Sequence, residues 1–138
     1  MLAWKLRQDE RVVVMERTNA MHVKLPEPVD VVTVDVAWTR QKNILPNALR
    51  QAKASGLVLS LFKPQYEAPP VLVRRGRVEP YAFDLVLEDT VRELDHTGIA
   101  VRDVVRLPQQ PRKNPEAFLV IAVEACNESW RQGAGTVG

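Results

Sequence analysis

The sequence predicts an α/β fold: an open, mostly parallel sheet that carries helices and ends in an antiparallel strand. Two observations support this fold class. Short runs of β-branched residues alternate with helical patterns along the chain, which is typical of an open α/β sheet. The last two runs, 99–107 and 117–123, are joined by a connection that has no helical pattern and is too short for a parallel crossover. We therefore expect this final pair to be antiparallel.

Length and composition favour one globular domain. The chain has 138 residues, of which 46% are hydrophobic and 26% are charged. These fractions are globular averages and argue against a disordered chain or a coiled coil. We expect residues 1–138 to form a single domain, with a disordered, glycine-rich tail from about 128 to 138. No apolar run approaches the roughly 20 residues that a transmembrane helix needs, so no membrane association is expected.

The first two predicted strands differ in pattern. Residues 11–16 form a short β-branched run and follow a helical segment at 2–7. Residues 30–36 are almost continuously β-branched, which is typical of a strand buried on both faces of a parallel sheet.

A helix with one apolar stripe is predicted after the second strand. Because proline is tolerated only in the first turn of a helix, Pro46 indicates a start near Asn43. Gly56 fits the position just after the helix and opens the next strand, 57–62. A second helix is predicted over 82–97.

Charge gives little functional information by itself. The formal net charge is +2, so any affinity for nucleic acid must come from local clusters. Two modest clusters occur: Arg74, Arg75 and Arg77 after a diproline, and Arg112 with Lys113 in a connection rich in proline and glutamine. Each cluster is also compatible with an ordinary solvated loop.

A few reactive residue types offer no site of their own. His22 and His96 lie far apart and have no cysteine or carboxylate at ligand spacing, so no metal site is expected. The single cysteine, Cys126, cannot form an internal disulfide, which favours a reducing, cytoplasmic compartment. Trp38 could stack on a nucleobase, or it could equally cover a helix.

Ionisable residues gather at one predicted edge of the sheet. Ligands of open parallel sheets bind beyond the carboxyl ends of the strands. Asp35 ends the second strand, Lys63 follows the third, and Glu116 begins the last strand, which runs in the opposite direction. Since an amine between two carboxylates forms a mutually perturbed set, this edge is the candidate site.

The same residues lie within motifs that resemble one family, the haemolysin A (TlyA-type) proteins. These are FtsJ-like (RrmJ-like), S-adenosylmethionine-dependent RNA 2′-O-ribose methyltransferases with a Rossmann-like sheet. The similarity extends from residue 1 to about residue 124. Lys63-Pro64-Gln65-Tyr66-Glu67 is its most specific motif. The other motifs gain weight from their order: 2–7, Glu16–Ala20, Val34–Val36, Ile44–Pro46 and Asn114–Leu119.

The resemblance implies roles for individual residues. Asp35, Lys63 and Glu116 match the last three members of the family's Lys-Asp-Lys-Glu tetrad. Lys63 is then expected to help deprotonate a ribose 2′-hydroxyl that attacks the sulfonium methyl group. Asp35 and Glu116 would position the lysine and the nucleotide of an RNA, in particular rRNA. Asn19 and Asp35 are the expected contacts to S-adenosylmethionine.

The resemblance also implies that part of the domain is missing. The family's first lysine, its glycine-rich cofactor loop and its acidic ribose ligand would all precede Met1, so we expect a truncated methyltransferase domain that is impaired or inactive alone. The alternative is a non-catalytic remnant that binds RNA or protein. A third possibility is a small α/β enzyme for another ligand. We expect strand 11–16 either to pair with 30–36 or to reach a second chain, which makes a homodimer plausible.

Overall fold

The computed structural model describes residues 2–123. Its helices are Trp4–Arg7 (α1), Gln41–Gln51 (α2), Pro64–Glu67 (α3) and Pro80–His96 (α4), with a 3₁₀ turn at Pro70–Leu72. Its strands are Val29–Val34 (β1), Ala52–Phe62 (β2), Val73–Arg74 (β3), Arg77–Val78 (β4), Asp103–Arg106 (β5) and Ala117–Ala122 (β6). The predicted tail at 128–138 and Cys126 lie outside the described residues.

The predicted fold class is confirmed. Four strands form an open sheet in the order β1-β2-β6-β5. β1 and β2 are parallel, while β6 is antiparallel to both β2 and β5. The short connection before β6 therefore produces the antiparallel pair that its length predicts. Strands β3 and β4 form a separate two-stranded hairpin.

The core lies between the sheet and two helices that contact each other, α2 and α4. Phe62 of β2 meets Phe83 of α4 edge to face, with ring centroids 5.5 Å apart. This geometry is a favourable arrangement for two aromatic rings. The largest fully buried side chains around this contact come from both helices and from the central strands: Leu45, Val58, Phe62, Leu94, Leu119 and Ile121.

The predicted strand at 11–16 is wrong. Residues 12–15 have no regular structure, and Val13 is 74% exposed. Arg7 instead forms an ion pair of 2.7 Å with Glu16, so the segment folds back towards α1. A β-branched run becomes a strand only when a neighbouring strand pairs with it. Since β1 pairs only with β2 within the described chain, the expected 11–16 to 30–36 pairing is also wrong.

The expectation that 30–36 is buried on both faces is wrong as well. β1 stands at an edge of the sheet, and Val31 is 52% exposed. Its apolar composition is that of an inner strand, but within residues 2–123 it has a partner on one side only. Whether a second chain covers this edge stays a prediction.

Helix α2 departs from its predicted limits. It begins at Gln41, so Pro46 lies inside it and not in its first turn. It ends at Gln51, and Gly56 lies within β2. Residues 52–57 of β2 face only residues 29–31 of β1, which makes a bulge in which Ser55 has φ 68°. A Cβ on Gly56 would lie 2.9 Å from the Asp30 carbonyl oxygen, so this close approach, and not a helix end, requires glycine.

Candidate functional site

Parallel pairing of β1 and β2 brings Asp35 and Lys63 to the same edge of the sheet. Each residue directly follows its strand, and Val34 pairs with Ser60 in the ladder. The Lys63 Nζ atom lies 2.6 Å from the Asp35 Oδ1 atom. The lysine side chain is 18% exposed, whereas the aspartate side chain is 68% exposed. The lysine side chain is thus largely buried, and the carboxylate that contacts its amine is largely exposed to solvent.

Glu116 reaches the same edge from β6. Phe62 faces Ala117 in the antiparallel ladder, so one further step places Lys63 beside Glu116. The Glu116 carbonyl also accepts a hydrogen bond of 3.0 Å from the Leu107 backbone N–H. Within the described part of the chain, no ion pair joins Glu116 to Lys63. The fold therefore brings all three segments to one rim, and two of the three side chains are in contact.

A buried polar network lies behind this rim. The Glu67 Oε1 atom accepts a hydrogen bond of 2.6 Å from the Gln41 backbone N–H, at the first residue of α2. The Gln41 side chain donates to the Leu61 carbonyl at 3.0 Å and accepts from the Ser60 hydroxyl at 2.6 Å. Glu67 thus caps α2, and the Gln41 side chain ties that helix to the end of β2, immediately before Lys63. This capping explains why the helix begins earlier than Pro46 predicts.

Burial controls the protonation of Glu67. Desolvation raises the pKa of its carboxyl group above the ordinary value of 4.5, although the Gln41 N–H and the Arg40 guanidinium oppose that shift. The Arg40 Nε atom lies 3.5 Å from Glu67 Oε2. In the sequence, Glu67 stands out only as the last residue of the Lys-Pro-Gln-Tyr-Glu motif, and no local pattern indicates that it is buried.

Asn19 occupies a different setting from the rim residues. Its side-chain oxygen accepts a hydrogen bond of 2.9 Å from the Met21 N–H, within its own turn. The next residues are held against α2 by Asn47, whose amide donates to the carbonyls of Ala20 and Val23. Within residues 2–123, Asn19 makes no hydrogen bond to Asp35 or Lys63.

An aromatic pair joins the segments that follow Asp35 and Lys63. Trp38, three residues after Asp35, is 87% exposed and has φ 59°. Its ring centroid lies 5.1 Å from that of Tyr66, three residues after Lys63, with the planes tilted by 48°. The loop after β1 and helix α3 thus meet through their aromatic side chains, and the indole is largely open to solvent.

Residues 2–123 contain neither a metal-binding cluster nor a membrane-spanning helix. No cluster of three or more His, Cys, Asp or Glu residues in this range could hold a metal ion. None of the helices in this range is both long and apolar enough to cross a bilayer.

The open, mostly parallel sheet is that of a Rossmann-like methyltransferase fold. The family model of FtsJ-like methyltransferases matches residues 1–122. The chain therefore belongs to the FtsJ-like methyltransferase family, and the predicted resemblance is confirmed.

Two named relatives are similar to parts of the chain. The 16S/23S rRNA (cytidine-2′-O)-methyltransferase TlyA of Mycobacterium tuberculosis is 40% identical over 83 residues, which cover 57% of this chain and 29% of that protein. YqxC of Bacillus subtilis, named as an rRNA methyltransferase, is 47% identical over 75 residues, which cover 49% of this chain and 25% of that protein. The matches thus span less than a third of each relative.

Two solved structures share the fold. A protein of Streptococcus thermophilus named as a hemolysin superposes with a TM-score of 0.80 and 28% identity, over 90% of this chain and 47% of the other. A second, from Lactococcus lactis and also named as a hemolysin, gives a TM-score of 0.77 and 27% identity, over 88% of this chain and 62% of the other. The superpositions therefore cover nearly all of this chain but only about half to two thirds of each solved structure.

The family implies S-adenosylmethionine, and the described residues fit only part of that cofactor's needs. A glycine-rich loop at a strand end lets backbone approach such a ligand. The glycines within 2–123 lie in the β2 bulge, in the β3–β4 turn and after α4 (Gly56, Gly76 and Gly98). None of them opens a loop from the carboxyl end of β1. Residues 2–123 therefore do not, by themselves, fit the methionine end of the cofactor.

Proposed function

We propose that the chain carries the substrate-activating rim of an RNA 2′-O-ribose methyltransferase, with rRNA as its substrate class. The contact between Lys63 and Asp35, at the carboxyl edge of a parallel strand pair, is the observation that carries this proposal. The family match and the activity named for TlyA support it. A cytoplasmic location, where rRNA is available, belongs to the same proposal.

Lys63 acts on the ribose hydroxyl in this proposal. Its amine is largely enclosed, and Asp35 fixes its direction, as a proton-accepting group requires. When the lysine is neutral, its Nζ atom takes the 2′-hydroxyl proton and the oxygen becomes a nucleophile. Asp35 then stabilises the resulting ammonium, and Glu116 from β6 orients the ribose.

Trp38 supplies a stacking surface for the nucleotide. Its ring is largely exposed in the loop that follows Asp35, and it contacts the ring of Tyr66, three residues after Lys63. Stacking of one base on an exposed aromatic ring is worth about 1–3 kcal/mol. The ring would thus hold the target nucleotide while its ribose faces Lys63.

The isolated 138-residue chain is impaired in this proposal. Asn19 and Asp35 are its two assigned contacts to S-adenosylmethionine, and the described glycines form no cradle for the cofactor. Calorimetry with S-adenosylmethionine tests the impairment directly. We expect affinity no tighter than the millimolar range, and micromolar binding would contradict it.

Methyl transfer tests the function itself. The chain is incubated in excess over rRNA with millimolar S-adenosylmethionine, and the RNA is digested and analysed for 2′-O-methylnucleosides by mass spectrometry. We expect a slow reaction that Lys63→Ala reduces at least ~100-fold, the usual contribution of a proton-transferring group. Methylation that persists in Lys63→Ala rejects the assigned role of the lysine.

The second candidate is a non-catalytic remnant that binds RNA. The incomplete cofactor site favours this candidate, because the rim and its aromatic pair could bind a nucleotide without transferring a methyl group. The two candidates separate in the same assay, since a remnant binds RNA and yields no 2′-O-methylnucleoside at any cofactor concentration.

A further inference from the structure

Two basic segments that are distant in sequence adjoin one another in the structure. The first is the β3–β4 hairpin, with Arg74, Arg75 and Arg77. The second is the 108–116 loop, which carries Arg112 and Lys113. We call these two segments, which together carry five cations, the basic pair of segments.

The turn of the hairpin contains an arginine with a positive φ angle. Arg75 and Gly76 occupy the two positions between β3 and β4, with φ 52° and 75°. Two successive positive φ angles are typical of the tight hairpin turn that prefers Asn-Gly. Arginine is disfavoured in this left-handed region, and such outliers concentrate at functional positions. Arg112, in the other segment, also has a positive φ of 63°.

Asn114 joins the two segments. Its side-chain oxygen accepts a hydrogen bond of 2.9 Å from the Val78 N–H, and its amide donates to the Gly76 carbonyl, also at 2.9 Å. One side chain thus fastens the turn of the hairpin and its second strand, β4, to the loop. Because Arg112 and Lys113 immediately precede Asn114, these hydrogen bonds bring their backbone next to the hairpin.

The clasped surface also borders the candidate site. Lys113, Asn114 and Glu116 line one cavity of about 220 Å³. The nearest carboxylates in sequence are Glu79, after β4, and Glu116 itself. All five cations of the basic pair of segments are exposed, and within residues 2–123 none of them forms an ion pair. They therefore offer unpaired positive charge on the flank of the rim.

We propose that the basic pair of segments binds the phosphodiester backbone of single-stranded RNA, and that Asn114 is the positioning residue that holds the two segments as one surface. The proposal rests on the proposed function for its choice of RNA, and it adds where the strand is gripped. Unpaired cations on a rigid flank fit phosphates without base specificity. The RNA would pass the clasp before its target ribose reaches Lys63.

Salt-dependent binding of a labelled single-stranded RNA oligonucleotide, followed by fluorescence anisotropy, tests the proposal. The double variant Arg75→Ala/Arg112→Ala removes one cation from each segment. Each phosphate contact contributes about 0.7 to the slope of log K against log salt, so the slope should become shallower by about 1.4. At about 0.1 M salt the affinity should fall roughly 25-fold. The matched control, Lys24→Ala/Arg102→Ala, also removes two exposed charges and should keep most of the slope.

Asn114→Ala separates positioning from charge. It leaves the net charge unchanged but frees the hairpin from the loop, so we expect a shallower slope and about fivefold weaker binding. Circular dichroism establishes that the variant is folded. If Asn114→Ala fails to fold, the double variant alone decides the proposal.

The outcomes distinguish this inference from the proposed function. RNA binding that depends on Arg75 and Arg112, without methyl transfer, supports the inference and rejects the function. Methyl transfer with an unchanged slope in the double variant supports the function and overturns the inference. Equal losses in the test and control variants, or no RNA binding by the chain, also overturn it.

Discussion

The two ends of β2 place very different demands on the chain. At the amino end, Gly56 is pressed against the carbonyl oxygens of Lys53 and Asp30, where an added Cβ would lie 2.7 and 2.9 Å away. At the carboxyl end, Lys63 has a 2.6 Å contact to an aspartate that is mostly exposed. The first end is restricted by packing and the second by charge.

Stability should therefore depend mainly on the amino end of β2, and function on its carboxyl end. Substitution at the tightly packed end should lower the free energy of unfolding, because the new side chain would overlap backbone atoms. Substitution of the exposed ion pair should alter the chemistry at little cost in stability. The Glu67 network lies between these extremes, because it is buried and also supports the segment that precedes Lys63.

Gly56→Ala should have the largest effect. The new methyl group overlaps two backbone oxygens that cannot move without breaking the bulge, so the free energy of unfolding should fall by about 3 kcal/mol. Urea denaturation measures it. Gly76→Ala is the matched control: its Cβ meets no atom within 4 Å, and only its positive φ opposes alanine, at about 1 kcal/mol. Equal effects of the two changes would contradict the packing argument.

Glu67→Gln should change how stability depends on pH. Burial raises the pKa of Glu67 in the folded chain above its ordinary value, so the folded state holds the proton more tightly than the unfolded state. As pH rises from 4.5 through the folded-state pKa, the free energy of unfolding should fall, by at most ~1.4 kcal/mol per pH unit from this group. The variant should lack this decline.

Thr90→Val is the control for that titration. Thr90 is also buried, on α4, but it has no ionisable group. The Thr90→Val variant should change the free energy of unfolding by the same amount at every pH, so its pH dependence should match that of the wild type. Identical pH profiles for Glu67→Gln and the wild type would show that burial of this carboxyl group is not what perturbs it.

Arg75→Asn should raise stability slightly. Asparagine tolerates positive φ better than arginine, so thermal unfolding should show a gain of about 0.5 kcal/mol. Arg74→Asn removes the same charge from a strand position and should give no gain. Both variants should weaken RNA binding similarly, which separates backbone strain from phosphate contact. A stability loss in Arg75→Asn would argue against the turn geometry.

Asp35→Asn should have the smallest effect on stability. The partner carboxylate is mostly exposed, and ion pairs of this kind contribute about 0.5 kcal/mol or less. Urea denaturation should therefore hardly distinguish this variant from the wild type, while methyl transfer falls because Lys63 loses its orienting group. A loss of stability comparable to that of Gly56→Ala would reverse the contrast between the two ends of β2.

Local sequence patterns predicted the elements that have partners within the chain. β6 and α4 appear within two residues of their expected limits, since each combines a strong apolar pattern with a clear stop. The antiparallel pairing of β5 and β6 followed from the length of their connection. Asp35 and Lys63 could be placed at one edge because parallel strands end on the same side.

The remaining features depend on contacts that no local pattern contains. Residues 11–16 have strand-forming side chains but no ladder partner among the described residues. The start of α2 is set by Glu67, which is distant in sequence. The Asn114 clasp joins the loop to a hairpin 36 residues away. These are tertiary hydrogen bonds, and residue propensities carry no information about them.

Discrimination between RNA and DNA is the most direct test of the central claim, that the rim around Lys63 recognises a ribose 2′-hydroxyl. Anisotropy titrations compare an RNA oligonucleotide with DNA of the same sequence, for the wild type and for Lys63→Ala, and need no cofactor. The account predicts tighter binding of RNA by the wild type and loss of that preference in Lys63→Ala, with the phosphate-dependent affinity retained. An unchanged preference for RNA in Lys63→Ala would contradict it.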